Sequence, residues 1–226
     1  RQRQMCIRDS NDGIFLSLHE SQTTGTVRFG VQEDFGEHFL SDILRRFVQA
    51  YPMVNLEVRI ARNAELLSMV ESAGLDLALT WDTERNSPLA TRLGETPMHW
   101  IGARNTRLPT MMDDSPLPLI LFDAPCVLRS AATQALDAAY IPWRIALTSP
   151  SVAGIWAAVA AGLGLTLRTR IGLPGHLDIV SGLPPVPHLG YMIHSCTEAP
   201  TPATRELAAL IKASLQEPAF NFAVSK

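Results

Sequence analysis

The sequence predicts an α/β fold made of two subdomains, and three observations lead to this prediction. Residues 26–81 alternate short apolar runs with longer runs whose apolar positions recur every three or four residues, which is typical of strand, helix, strand, helix, strand. Residues 143–167 repeat a strand, a helix and a strand. Residues 95–103 and 189–194 return to strand character between these regions, so we expect them to cross between two Rossmann-like subdomains.

The domain boundaries follow from these crossings. Subdomain I is predicted to comprise residues 25–97 and 196–217, and subdomain II residues 98–195. Residues 1–10 carry no periodicity and do not begin with Met, so we interpret them as a cloning or sequence-assembly scar. Residues 11–24 place Ile14, Phe15 and Leu18 at helical spacing and then turn polar, which indicates the end of a helix.

Subdomain I is predicted to contain a parallel sheet of order 2-1-3. Residues 54–60 alternate apolar and polar side chains, as in a half-exposed edge strand, whereas residues 75–80 are apolar except for Asp76 and read as interior. Ligands of such sheets bind beyond the carboxyl ends of the strands. The predicted elements are strands at 26–32, 54–60 and 75–80, helices at 37–51 and 64–73, and a closing helix through Leu207, Ile211 and Leu215.

Subdomain II is predicted to repeat this arrangement with shorter strands. Ser130 is expected to cap a helix that runs to about Tyr140 and buries Ala131, Ala135, Leu136 and Ala139. Ser149 or Ser151 is expected to cap the next helix, which Gly162 ends. The predicted strands lie at 119–122, 143–148, 163–167, 177–180 and 189–194.

Composition excludes several classes of protein. The chain has 226 residues, 46% of them hydrophobic, which is ample for a buried core. With 19 basic against 22 acidic residues, it lacks the basic surface expected for direct binding of duplex DNA. Cys6, Cys126 and Cys196 lie far apart, so we predict neither disulfides nor a zinc site, and a reducing cytoplasm. No apolar stretch is long enough for a membrane helix, so no membrane partner is expected.

Catalysis is not predicted. The chain has no Gly-x-Ser-x-Gly motif, and its six His residues lie apart from one another. Glu33 and Asp34 could form a catalytic pair, but adjacent carboxylates at an extended strand end point apart, which favours a role at a pocket rim. Gly162 and Gly164 follow a helix and precede a strand, the reverse of a dinucleotide fingerprint, so we expect no cofactor and no metal.

Four short motifs stand in order along the chain: Gly25-Thr26-Val27-Arg28-Phe29-Gly30, Phe47-Val48-Gln49-Ala50-Tyr51-Pro52, Leu75-Asp76-Leu77-Ala78 and Ala160-Ala161-Gly162-Leu163-Gly164. In order and spacing they resemble the effector-binding domain of LysR-type transcriptional regulators, over residues 11–217. Residues 62–66, 97–100 and 123–126 are similar to the branch that contains repressors of motility and exoenzyme production. The resemblance implies a type 2 periplasmic-binding-protein-like architecture, with a winged helix-turn-helix domain and a linker helix ahead of Gly25.

Strand-end position and the resemblance together direct one set of side chains to an effector cleft between the subdomains. A structural alternative stays open for two of them, because Ser149 could simply cap a helix and Trp81 could simply pack. The family uses a hydroxyl group where Asp34 stands, so an amine or a polyol suits this position better than an anion. The start of the helix after Ser149 would attract an acidic group. The predicted effector-binding residues are Glu33, Asp34, Phe35, Asn63, Trp81, Ser149, Pro150 and Ser151.

Two functions remain open from the sequence. The first is the ligand-sensing and dimerising part of a transcription regulator, which would contact promoter DNA only through an N-terminal domain absent from this sequence. The resemblance implies a homodimer for this part and a tetramer for the full-length protein. The alternative is a free-standing solute-binding protein of a transporter, which shares the two-subdomain architecture. The lack of an export signal favours the regulator.

Overall fold

A computed structural model describes residues 23–83, 87–106 and 115–216, without the side chains of residues 36–38. The predicted scar at residues 1–10 and all but the last two residues of the predicted helix end at 11–24 lie outside this part. Thr23 and Thr24, those last two residues, do not belong to a helix. Residues 107–114 also lie outside it.

The described chain divides into two compact units. Unit 1 contains the described residues of 1–80, 85–93 and 192–217, and unit 2 those of 81–84 and 94–191. The two crossing strands change unit between residues 93 and 94 and between residues 191 and 192, four positions before the boundaries expected from the sequence. The expected boundaries mark where the residue pattern changes, whereas a unit ends where the contacts of a strand change partner.

The strands and helices follow the predicted α/β alternation. The strands are β1 Gly25–Gln32, β2 Val54–Ala61, β3 Leu77–Trp81, β4 Ala90–Ala103, β5 Leu117–Phe122, β6 Trp143–Ser149, β7 Thr166–Thr169, β8 Leu177–Ile179 and β9 His188–Ser195. The helices are α1 Gly36–Ala50, α2 Asn63–Glu71, α3 Val127–Ala138, α4 Val152–Ala160 and α5 Pro202–Gln216, and a 3-10 turn spans Glu33–Phe35.

Unit 1 is built on the parallel sheet predicted from the sequence. β1 pairs in parallel with β2 on one side and β3 on the other, which confirms the order 2-1-3. All five residues of β3 are buried, whereas β2 lies at the edge and buries only Val54. The closing helix α5 begins after Thr201, whose hydroxyl oxygen accepts a hydrogen bond from the Thr204 amide at 3.2 Å. Its buried residues include Leu207, Ile211 and Leu215, as expected.

The first crossing strand is longer than predicted. β4 begins at Ala90, five residues before the expected start at Glu95, although residues 83–93 read as a polar loop broken by Pro88. Its first six residues include no buried side chain. Strand pairing through the backbone needs no apolar pattern, so the sequence carries little signal for this part.

Unit 2 contains two sets of paired strands, the two-stranded sheet of β5 and β6 and the strands that pair with β4. β5 and β6 are parallel, while β7 and β8 both pair antiparallel with β4. A parallel bridge joins Leu119 to Leu165. The core between these sheets and α4 contains Ile101, Ile120 and Ile155, each fully buried. Gly162, with φ of 73°, ends α4 as predicted, because a residue without a side chain adopts this left-handed conformation without strain.

Three details of unit 2 differ from the prediction. Ser130 lies inside α3, which starts after Cys126 without a side-chain cap. The buried face of α3 consists of Leu128, Ala132 and Leu136, so only Leu136 of the predicted face is fully buried. The helix begins four residues earlier than expected, so its buried face includes Leu128, which lies ahead of the predicted start. β7 begins at Thr166, three residues later than expected, because Leu163 and Gly164 belong to the turn after α4.

A partly buried ion pair between Arg28 and Asp76 joins β1 to the residue just before β3. The Asp76 carboxylate accepts hydrogen bonds from the Arg28 amide at 2.7 Å and from its guanidinium at 2.9 Å. The bond to Asp76 and its negative charge raise the pKa of Arg28. The same residues also exchange a backbone bond, from the Asp76 amide to the Arg28 carbonyl at 2.8 Å. Asp76 therefore fixes the order of β1 and β3 through both main chain and side chain.

We expect Asp76→Ala to lower the free energy of unfolding by about 2 kcal/mol, because it leaves the Arg28 amide and guanidinium without their acceptor. The measurement is urea unfolding followed by circular dichroism. Asp42→Ala is the matched control, since Asp42 pairs with Arg45 and Arg46 on the helix surface. Surface pairs of this kind contribute less than about 1 kcal/mol. Equal losses for the two variants would contradict the role assigned to Asp76.

Candidate functional site

The first predicted group of site residues follows the end of β1. Glu33, Asp34 and Phe35 form the 3-10 turn that leads into α1. This corrects the expectation of an extended strand end. Phe35 is fully buried and Asp34 is only 6% exposed, whereas Glu33 is half-buried. The turn thus separates the two carboxylates by burial, and Asp34 is the one held within the fold.

Asn63 stands at the end of the neighbouring strand. It is the first residue of α2, half-buried, and the preceding Arg62 has an extended backbone. The parallel register pairs Gln32 with Ala61, so β1 and β2 end at the same edge of the sheet. Asn63 and the turn after Gln32 therefore lie on that edge of unit 1, as strand-end geometry predicts.

Trp81 is the last residue of β3 and is 1% exposed. It is one of the largest fully buried side chains of the described chain, which supports the packing role left open above. The amide of Asp82, the residue after Trp81, donates a hydrogen bond to the Gly190 carbonyl at 2.7 Å. The backbone after Trp81 is therefore fixed against β9.

Ser149, Pro150 and Ser151 form a tight turn between β6 and α4. The Ser149 hydroxyl accepts a hydrogen bond from the Ser151 amide at 3.1 Å and donates one to the Ser151 carbonyl at 3.0 Å. Ser151 caps α4, since its hydroxyl oxygen accepts a bond from the Gly154 amide at 3.2 Å. The cap is thus Ser151, while Ser149 shapes the turn ahead of it. The turn leaves the amino end of α4, with its partial positive charge, at the end of β6.

Gly154 is essential to this turn. A Cβ atom at this position would collide with the Ser149 hydroxyl oxygen. The first turn of α4 can therefore approach Ser149 only because residue 154 has no side chain. Pro150 is exposed and Ser149 is buried, so the surface at this strand end consists of Pro150 and the start of the helix.

Arg168 was not singled out from the sequence, yet it lies beside this strand end. It is 2% exposed, and its guanidinium carbon lies 4.5 Å from the centre of the Phe122 ring and 5.8 Å from that of Trp156. Phe122 pairs with Ser149 in the β5–β6 register. The sequence carries one signal that could have identified Arg168, which is a charged residue within an otherwise uncharged strand. All four residues of that strand, β7, are buried.

Two further kinds of polar side chain, a histidine and the cysteines, have structural positions in the described chain. His194 is fully buried and hydrogen-bonds Thr80 at 3.0 Å and Ser87 at 3.1 Å. Cys126 and Cys196 are free thiols, and Cys126 packs against the apolar core of unit 2. Within residues 23–83, 87–106 and 115–216, no group of three or more His, Cys, Asp or Glu side chains could hold a metal ion.

None of the helices in residues 23–83, 87–106 and 115–216 is both long and apolar enough to cross a bilayer.

Two transcriptional regulators are similar to this sequence over most of its length. The regulator DgdR of Burkholderia cepacia is 34% identical over 210 residues, which cover 91% of this chain and 69% of the relative. The regulator PecT of Dickeya dadantii is 30% identical over 187 residues, which cover 81% of this chain and 58% of the relative. Both are described as HTH-type transcriptional regulators, and this chain spans about two thirds of their length or less.

Solved structures and a family model agree with these relatives. The effector-binding domain of QuiR, solved in complex with shikimate, superposes with a TM-score of 0.69 at 15% identity, covering 84% of this chain and 97% of that chain. That similarity shows the fold, which has the type 2 periplasmic-binding-protein-like architecture. The LysR substrate binding domain model matches residues 20–216. The chain therefore belongs to the LysR substrate binding domain family, whose members are the effector-binding domains of transcriptional regulators and not enzymes.

Proposed function

We propose that this domain senses a small molecule through the strand-end residues singled out from the sequence, which are Glu33, Asp34, Phe35, Asn63, Trp81, Ser149, Pro150 and Ser151. The observation that carries the proposal is the buried Asp34 carboxylate in the turn directly after β1. Ligands of parallel sheets bind beyond the carboxyl ends of the strands, which is where this carboxylate stands.

The two strand ends favour complementary groups of one ligand. Asp34 suits an amine or the hydroxyl groups of a polyol, which can donate hydrogen bonds to a carboxylate. The amino end of α4 suits an acidic group. Shikimate, the ligand in the QuiR complex, carries both hydroxyl groups and a carboxylate. The proposed effector class for this chain is therefore a small hydroxy acid or amino acid.

Thermal unfolding tests this proposal. We expect shikimate, or another member of a panel of hydroxy acids, amino acids and aliphatic amines, to raise the melting temperature in a saturable way, because a ligand stabilises the state that it binds. Asp34→Asn should weaken the affinity of that ligand at least about tenfold, since it removes a charge-assisted hydrogen bond.

Asp42→Asn supplies the control, because Asp42 is an acidic residue of α1 whose side chain pairs with surface arginines. It should leave the affinity unchanged. Gly154→Ala is a second probe, since its Cβ collides with Ser149 and should distort the turn without removing a charge. A panel that never stabilises the protein, or stabilisation that survives both Asp34→Asn and Gly154→Ala, would count against this site.

The proposal extends to assembly and location. We infer that the domain forms a homodimer, that the full-length regulator is a tetramer in the cytoplasm, and that promoter DNA is bound by a separate domain. The net charge of -3 supports the last point. The transporter alternative has less support, because both relatives named above are HTH-type regulators.

A further inference from the structure

Two nitrogen atoms of unit 2 are buried with no hydrogen-bond partner among the described residues. They are Nε2 of His99, in β4, and Nε of Arg170, directly after β7. More than about nine in ten buried polar groups of native proteins have a partner, so each exception calls for a physical reason. Two such atoms on neighbouring strands suggest that a missing acceptor belongs to both of them.

The sheet register places the two side chains together. β4 and β7 are antiparallel, with His99 opposite Arg168 and Met98 opposite Thr169. Alternate residues of a strand point to the same face, and diagonal neighbours on paired strands are within reach of long side chains. Arg170 is therefore the diagonal neighbour of His99 on one face of the sheet. The two are close enough for the charge of Arg170 to affect the His99 ring.

The charges around His99 are mostly positive. They comprise Arg168 and Arg170 from the β7 segment, His188 from β9 and Glu95 from β4 itself. The single carboxylate among them, Glu95, pairs with His188 at 3.2 Å. Burial lowers the pKa of His99, and the positive charges of Arg170 and His188 lower it further. Two cations thus act on the His99 ring, and the nearby carboxylate of Glu95 is paired with one of them, His188.

The cluster is accessible from solvent. His188 and Glu95 are both more than half exposed as side chains, and His99 and Arg170 are half-buried. The side of the sheet where His188 and Glu95 stand is therefore the side from which a ligand would approach the two buried nitrogen atoms.

We propose that His99 and Arg170 form an oxyanion-binding site on unit 2. Arg170 donates its Nε–H and one terminal N–H, the paired geometry that matches carboxylate, phosphate and sulfate groups. His99 donates from Nε2. These residues are distinct from those of the proposed effector site, so the inference stands or falls independently of it. The oxyanion is either a free inorganic ion or the acid group of a larger molecule, which share this chemistry.

Sulfate is the probe of choice, because it stays a dianion across the range in which histidine titrates. The ring signals of His99 are followed by NMR during titration with sodium sulfate at constant ionic strength. We expect a saturable shift, and a rise of the pKa of His99 at saturation, since a bound anion offsets the neighbouring cations. By linkage, sulfate affinity should increase as the pH falls through the His99 pKa.

Arg170→Gln should weaken sulfate binding at least about tenfold, because a charge-assisted pair of hydrogen bonds is lost. Arg170→Lys keeps the charge without the paired donors, so its affinity should be intermediate. Arg144→Gln is the matched control, an exposed arginine of β6 in the same unit, and should bind as the original protein does. Circular dichroism verifies that each variant is folded.

Competition distinguishes the two sources of the oxyanion. Displacement of sulfate by shikimate or by acetate would assign the site to a carboxylic acid, and sulfate binding without displacement would assign it to an inorganic ion. Both results support the site. Unchanged His99 signals at saturating sulfate, or equal affinity for the Arg170→Gln and Arg144→Gln variants, would overturn it.

Discussion

Gly164→Ala is expected to destabilise unit 2 by about 3 kcal/mol or more, the upper range for overpacking. A Cβ atom at this position would collide with the carbonyl oxygen of Pro118, and its carbonyl carbon would lie only 2.8 Å away. That carbonyl accepts a hydrogen bond from the Leu165 amide at 2.9 Å, and the Leu165 carbonyl accepts one from Ile120 at 2.7 Å. The two backbones cannot separate without breaking both bonds.

The effect should be measurable by thermal unfolding, with a fall of roughly 10 °C for a domain of this size. Gly175→Ala is the control, because no atom lies within 4 Å of its added Cβ and its backbone has no positive φ. Hydrogen exchange should locate the loss at β5, where Leu119 and Ile120 are fully buried. A Gly164→Ala variant as stable as the Gly175→Ala variant would contradict this assignment.

The same position shows what the sequence does and does not reveal. The Gly162-Leu163-Gly164 motif indicated that a helix ends here, and Gly162 has the expected left-handed backbone. The role of Gly164 could not be predicted, because it depends on Pro118, 46 positions earlier in the chain. A local pattern encodes the conformation of its own residues, whereas a close approach of two strands depends on how distant segments pair.

Element type was predicted well wherever an apolar pattern was long. The helix that contains Ile43 and Phe47 and the interior strand that contains Leu79 are examples. Burial of one face of a helix, or of both faces of a strand, requires apolar residues at regular positions, and this periodicity is visible in the sequence. The start of β4 at Ala90 was not predicted. It is held by backbone pairing and has little side-chain burial, so residue order contains little information about it.

The candidate site was predicted in part, for a similar reason. Position at a strand end identified Asp34 and Ser149, because strand ends can be read from periodicity. The cations Arg168 and Arg170 and the ring of His99 were not identified. Their proximity results from antiparallel pairing between β4 and β7, which are about 70 residues apart in the sequence and were not expected to be partners.

We propose that the domain dimerises through the edge strand β2. Val58 and Ile60 alternate along β2 with polar residues, as a buried face would require, yet they are 36% and 49% exposed. Val48 and Met53, from the adjoining segment of chain, are 51% and 61% exposed. An apolar edge left open to water is a liability that proteins usually cover.

The proposed cover is helix α3 of a second subunit, arranged antiparallel about a two-fold axis. Tyr140, two residues after the end of this helix, is 92% exposed, and Ile145 of the next strand is 39% exposed. Exposed aromatic residues are typical anchors of protein interfaces. In a two-fold dimer the edge of each subunit meets α3 of the other, so one pair of patches forms two identical contacts.

Ile60→Asp is expected to raise the dimer dissociation constant at least about tenfold, because it places an unpaired charge in an apolar contact. It should leave the monomer folded, since the side chain is already half exposed. Ile43→Asp, at a fully buried position of α1, should instead unfold unit 1. Sedimentation velocity and circular dichroism measure the two effects separately.

Mixing two variants tests the two-fold arrangement itself. Ile60→Asp and Tyr140→Lys should each be monomeric alone, because every contact of either homodimer contains one foreign charge. In the mixed dimer, one contact is unaltered and the other joins Asp to Lys, so association should recover. Asn55→Asp, a polar residue of the same strand, is the control for added charge and should dimerise. An original protein that stays monomeric at tens of micromolar, where a modest interface already associates, would refute the proposed assembly.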